Sequence, residues 1–135
     1  MKKKKVFIQD CGIFLDEFVV SAGLTKDELK KYAKKEKLGK DFMKVVFENC
    51  DYIEEKNPKC AHTYFSTDTN AVSLVSFSAV EDSWDYWSSV LHEVVHVVQR
   101  VEIRKGLQKE DEARAYLTEY LFNNIRRKLV GTIKI

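Results

Sequence analysis

The chain has 135 residues, 44% of them hydrophobic and 33% charged, with five Gly, a single Pro and a formal net charge of +2. That length predicts one domain able to bury roughly two-thirds of its unfolded surface, and so few Pro and Gly leave no room for a long linker or a disordered arm. The small net charge gives no basis for a nucleic-acid partner, and no segment approaches the roughly 20 apolar residues of a membrane span.

Residues 1–40 carry eleven Lys against six acids, which reads as a solvated tail and a polar helix face rather than an anion-binding surface. Lys2–Lys5 followed by Val6-Phe7-Ile8 imitates the start of a secretory signal. Gln9-Asp10 and then Asp16-Glu17 interrupt the apolar core of about 7–15 residues that such a signal needs. Cys11, Cys50 and Cys60 form an odd set without Cys-x-x-Cys spacing. Buried thiols in a reducing compartment are expected, not a disulfide framework, and the cytoplasm is the expected location.

Along the chain, Val6–Gln9 and Ile13–Val20 are β-prone runs joined by Asp10-Cys11-Gly12, which predicts a hairpin. Thr25-x-x-Glu28 is a capping box that opens a charged helix to about Lys37, with Leu29, Tyr32 and Ala33 inward and Gly39 at its end. Asp41–Asn49 predicts a second short helix, and Asn57-Pro58 a turn. Cys60–Thr67 and Ala71–Ala79 read as strands joined by Asp68-Thr69-Asn70. Ser73, Ser76 and Ser78 mark Ala71–Ala79 as an edge strand, and an exposed edge can pair with an extended peptide.

A long helix begins at Asp82-Ser83 and continues to about Arg104, with Trp84, Trp87, Leu91, Val94, Val95 and Val98 as a broad apolar stripe. Gly106 breaks it. A last helix follows from about Lys109 to Lys128, acidic in its first turn and basic in its last, as the helix dipole prefers. The expected architecture is α+β, a single domain over residues 1–135 with a small, mainly antiparallel sheet packed on the long helix.

The long helix carries His92-Glu93-Val94-Val95-His96. Residues four apart on a helix lie nearly one above the other, so two imidazoles can share one ion. Glu93 stands about 100° around the helix from His92, placed to hold a water without ligating the metal. Zinc favours neutral imidazole, and a catalytic site keeps one of its four positions open. Val94, Val95, Val97 and Val98 would bury this stretch, and unpaired buried His and Glu are costly.

A hydrolytic site wants a third ligand, and Glu102, Glu110, Asp111, Glu112 and Glu119 follow within reach. Glu102 points about 240° away from His96. A straight antiparallel hairpin of the two helices would pair His96 with Glu119. An oblique crossing with residues 105–109 extended, a reach of about 17 Å, would bring Glu112 instead. Glu119 shares a helix face with Glu112, so it could orient a ligand from behind.

His92–His96 resembles the HExxH signature of zincin metallopeptidases, and Glu112-Ala113-Arg114-Ala115-Tyr116 resembles the second-helix glutamate motif of the gluzincin group. Over residues 83–125 the chain is similar to small predicted metallopeptidases encoded by bacteriophages, which would place it in the host cytoplasm. The resemblance implies Zn2+ held by His92, His96 and Glu112, Glu93 as general base, and a minimal zincin fold whose sheet edge holds a peptide or protein substrate in extended form. The metzincin extension is absent, because no His follows His96 at the needed spacing.

In that chemistry zinc lowers the pKa of its water towards about 7 and Glu93 shuttles the proton to the leaving amine. Tyr116, Tyr120 and His62 are candidates of suitable type for an oxyanion stabiliser. Two other classes share the same residues: a zincin-fold interaction module that keeps zinc only for stability, and a zinc hydrolase of non-peptide amides. Oligomeric state is left open by the sequence.

Overall fold

The computed structural model describes residues 3–47, 61–107 and 109–131 and has an α+β architecture. Its elements are β1 (Lys5–Asp10), a 3-10 turn (Gly12–Phe14), β2 (Glu17–Ala22), α1 (Lys26–Lys35), α2 (Lys40–Phe47), β3 (His62–Phe65), β4 (Val72–Phe77), α3 (Trp84–Lys105) and α4 (Asp111–Val130). The expected Asn57-Pro58 turn, Cys50 and Cys60 lie outside the described residues. Among the described residues no helix is long and apolar enough to cross a membrane.

Both expected hairpins form: β1 pairs antiparallel with β2, and β3 antiparallel with β4. They are joined by a parallel pairing of β2 with β4, from Val19 opposite Leu74 to Ala22 opposite Phe77, so the sheet is mixed, in the order β1-β2-β4-β3. This corrects the edge-strand expectation for Ala71–Ala79. Leu74 and Val75 are consecutive and both buried; since alternate residues face opposite sides, the strand is covered on both faces. The edge next to it is β3.

Two apolar layers sandwich the sheet. Val19, Tyr64 and Leu74 pack with Leu29 and Ala33 of α1 and Phe42 and Val46 of α2. Phe18, Val20, Val75 and Phe77 pack with the valines of α3 and with Leu117, Leu121, Ile125 and Leu129 of α4. The Thr25–Glu28 capping box is formed in both directions. It satisfies two N–H groups that the first turn would otherwise leave unpaired. α1 stops at Lys35, short of the expected Lys37, which instead takes a left-handed φ of 54°.

α3 starts where Ser83 accepts a hydrogen bond from the Tyr86 N–H, and ends at Gly106 with φ 69°. Asp82 serves Trp87 Nε1 rather than the helix end, at 2.7 Å. The buried stripe is narrower than expected and turned: Val90, Val94, Val97, Val98 and Val101 are buried, whereas Trp84, Leu91 and Val95 are exposed. At 100° per residue the buried valines span one face, and Leu91 and Val95 lie at its margin. The valines of the His motif thus divide, with Val94 inside and Val95 outside.

β2 begins at Glu17, four residues later than expected from Ile13. Gly12–Phe14 form the 3-10 turn, closed by Leu15 at φ 61°, and Ile13 and Leu15 are exposed. Asp10 Oδ1 accepts from the Gly12 N–H at 2.8 Å and from the Tyr120 hydroxyl. Gly12 has φ 61°, and a Cβ there would stand 2.9 Å from the Tyr116 hydroxyl oxygen, so the turn needs glycine for conformation and space alike. Cys11 beneath it is fully buried; burial, with the Asp16 and Asp10 charges, pushes its thiol up to about 12. That thiol stays protonated and unreactive.

The Tyr120 hydroxyl, and after it the Gly12 N–H, hold the Asp10 carboxyl below the ordinary value of 3.8. A lowered acid pKa contributes stability in full above the ordinary value, and the contribution is lost as pH falls through the lowered one. Tyr120→Phe is therefore expected to destabilise the protein near neutrality by an amount that shrinks as pH falls below 3.8. Urea unfolding of both proteins across that range checks it, and a gap independent of pH would contradict it.

Candidate metal centre

One turn apart on α3, His92 and His96 set their rings 4.7 Å apart between centroids, with Nε2 facing Nε2 at 3.1 Å. Glu93 is turned about 100° from His92, toward the sheet, and is only 5% exposed. Its Oε2 lies 3.9 Å from His92 Nε2. One ligand atom from each of the three side chains falls within 4.8 Å of the others. His92 is 68% exposed in its side chain and His96 is half-buried, so an exposed and a half-buried imidazole sit beside a buried carboxylate. The helix periodicity that places the valines inward forces this arrangement.

Neighbouring groups fix both components. Gln99 Oε1 lies 3.3 Å from His96 Nδ1 and accepts only if that nitrogen carries the proton. The lone pair is then on Nε2, the nitrogen that faces His92. The Thr63 hydroxyl donates to Glu93 Oε1 at 2.8 Å, with both residues buried. Thr63 belongs to β3, so the edge strand touches the centre directly. His62, beside it, is half-buried; burial holds its imidazole below the ordinary value, the Glu93 charge opposes that shift, and the His96 charge adds to it.

The donor set fits zinc in part. Two nitrogens about 2.05 Å from a tetrahedral ion would stand about 3.3 Å apart, and the observed 3.1 Å is within a few tenths of that. Unbound, the two Nε2 atoms could share only a proton. A third ligand does not join them: among the described residues the group consists of His92, Glu93 and His96.

Arg114 explains where the expected third ligand went. Its guanidinium bonds both oxygens of Glu102, at 2.7 and 3.1 Å, so α3 and α4 fold back with position 114 meeting position 102. By that register Glu112 falls level with Arg104, beyond His96 toward the helix end. The extended connection that would carry Glu112 to His96 is not formed. Instead Leu107 N–H bonds Glu102 O and Glu110 N–H bonds Leu107 O, a compact turn. Glu112 is exposed in the first turn of α4. Glu119 lines a groove with Leu91, the residue before His92, together with Ala115 and Phe122.

Tyr116 and Tyr120 are not brought to the centre either. They stack on each other at 5.8 Å and cover the Gly12 turn and Asp10. Of the three expected oxyanion candidates, His62 alone stands in the electrostatic field of Glu93 and His96. Sequence reasoning missed Gln99 and Thr63. Gln99 is three residues from His96 and was legible from helical spacing; Thr63 depends on how a strand meets a helix and had no local signal. Comparison with protein-family models, curated proteins and solved structures finds no match.

Proposed function

We propose that the chain is a zinc-dependent peptidase of zincin-like fold that works in the cytoplasm on extended peptide segments. The observation that carries this reading is the convergence of His92 Nε2 and His96 Nε2 at 3.1 Å beside the buried Glu93 carboxylate. His92 and His96 would hold the ion; a third ligand, a carboxylate from α4, is what the resemblance implies, and none stands with the pair among the described residues. The resemblance points to Glu112, whereas the register of the helix hairpin sets Glu119 nearer the level of His96. Zinc there would supply a Lewis acid that brings a water's pKa towards about 7.

The protein's own groups supply the rest. Glu93, with Oε1 occupied by Thr63, takes a proton through Oε2 as water attacks the scissile carbonyl, then returns it to the leaving amine. β3 is the edge of the sheet and its Thr63 touches Glu93. A substrate strand added along β3 would therefore run past the centre with its backbone groups paired.

Digestion of a mixed peptide library by the zinc-loaded protein, read by mass spectrometry with and without EDTA, tests this. New termini only in the zinc-loaded sample are expected. If a protein that retains zinc cleaves nothing, and chelation alters its unfolding alone, the chain is a zinc-stabilised interaction module.

A further inference from the structure

Taking the peptidase reading as its basis, we infer that Thr63 is a positioning residue that fixes the orientation of the Glu93 carboxylate, so that one oxygen always faces the reaction. The Thr63 Oγ1–H donates to Glu93 Oε1 at 2.8 Å, across the junction between the edge strand β3 and helix α3. Thr63 is 6% exposed and Glu93 5%, so water competes with neither. A buried carboxylate without a donor is disfavoured, and a hydroxyl that donates to one oxygen keeps that oxygen an acceptor.

The second oxygen, Oε2, is the one near the histidines, 3.9 Å from His92 Nε2. The hydroxyl therefore does two things. It holds the plane of the carboxylate so that one of its two equivalent oxygens points at the imidazole pair, and it leaves that oxygen, rather than the hydrogen-bonded one, to take the incoming proton. The pairing of Thr63 with Val75 of β4 fixes the strand beneath that hydroxyl. Since β3 is the edge along which an extended substrate would lie, the same strand would aim the base and present the peptide to it. A base on a helix and its positioning hydroxyl on the substrate-side strand move together only while that strand is seated.

Thr63→Val keeps the shape of the side chain and removes the donor, Thr63→Ser restores the donor, and Thr63→Ala leaves room for a water. The readout is the visible spectrum of the cobalt(II)-loaded full chain, recorded for each variant in a Glu93 and in a Glu93→Ala background. Library cleavage and circular dichroism melting are measured alongside.

Thr63→Val is expected to shift the cobalt bands when Glu93 is present and to leave them unchanged with Glu93→Ala, which has no side-chain acceptor for Thr63. It is also expected to lower turnover by about 10- to 100-fold, as loss of a group supporting a metal site does. Thr63→Ser should restore the wild-type bands. If Thr63→Val fails to fold, Thr63→Ala must show the same background-dependent shift. Cobalt bands identical in wild type, Thr63→Val and Thr63→Ala overturn this inference and leave the peptidase reading standing. A wild-type chain that takes up no cobalt overturns both.

Discussion

Glu93→Gln is expected to lower library cleavage by about 10²- to 10⁴-fold, the range set by loss of a positioned general base, while zinc content stays at the wild-type level. The amide has nearly the shape of the carboxylate, and its oxygen can still accept from Thr63 at the position where Oε1 now stands, 2.8 Å away. What it cannot do is take a proton. Because the residue is 5% exposed, replacing an ion with a neutral amide also removes a buried charge. The melting temperature is expected to hold or rise. That combination separates a base from a scaffold: a structural glutamate would lose stability and leave turnover intact. Cleavage within about tenfold of wild type, with zinc retained, would assign proton transfer to another group; half-buried His62 in the field of Glu93 and His96 would be the first to examine.

What was legible in the sequence was local. The relation of His92 to His96 and the offset of Glu93 by about 100° from His92 follow from 3.6 residues per turn, and both appear in α3, where Glu93 is turned inward to the sheet. So do the Thr25–Glu28 capping box, the Gly106 stop and the two hairpins. Glu102 points away from His96 as expected, and its partner is Arg114.

The rest depended on contacts between distant segments. Nothing in Ala71–Ala79 shows that β2, some fifty residues earlier, pairs with it in parallel. The serines suggested solvent, while Leu74 and Val75 are buried on opposite faces. Which of Glu112 and Glu119 lies nearer the level of His96 depends on the register of the helix hairpin, which the pairing of Arg114 with Glu102 marks. Thr63 could be found only once β3 had been laid against α3. Trp84 misled through composition: a large aromatic on a central helix looks like core, yet it sits in the first turn, 90% exposed.

The largest effect on the metal itself is expected from the histidines. His92→Ala leaves one imidazole where two now converge at 3.1 Å. Since loss of a merely supporting group costs about 10- to 100-fold in metal affinity, loss of a ligand should exceed the upper end of that range. His96→Ala should match it, with Gln99 left without its imidazole partner. By the helix register Glu119→Gln should weaken zinc more than Glu112→Gln, because Glu119 lies near the level of His96 whereas Glu112 lies level with Arg104. The reverse order would restore the ligand set implied by the gluzincin resemblance.

The most direct test is elemental analysis of the purified chain and of His92→Ala after dialysis against trace zinc. About one zinc per wild-type chain and essentially none in the variant are expected, with both proteins folded. No bound transition metal in the wild type, or equal zinc in both proteins, would contradict that expectation.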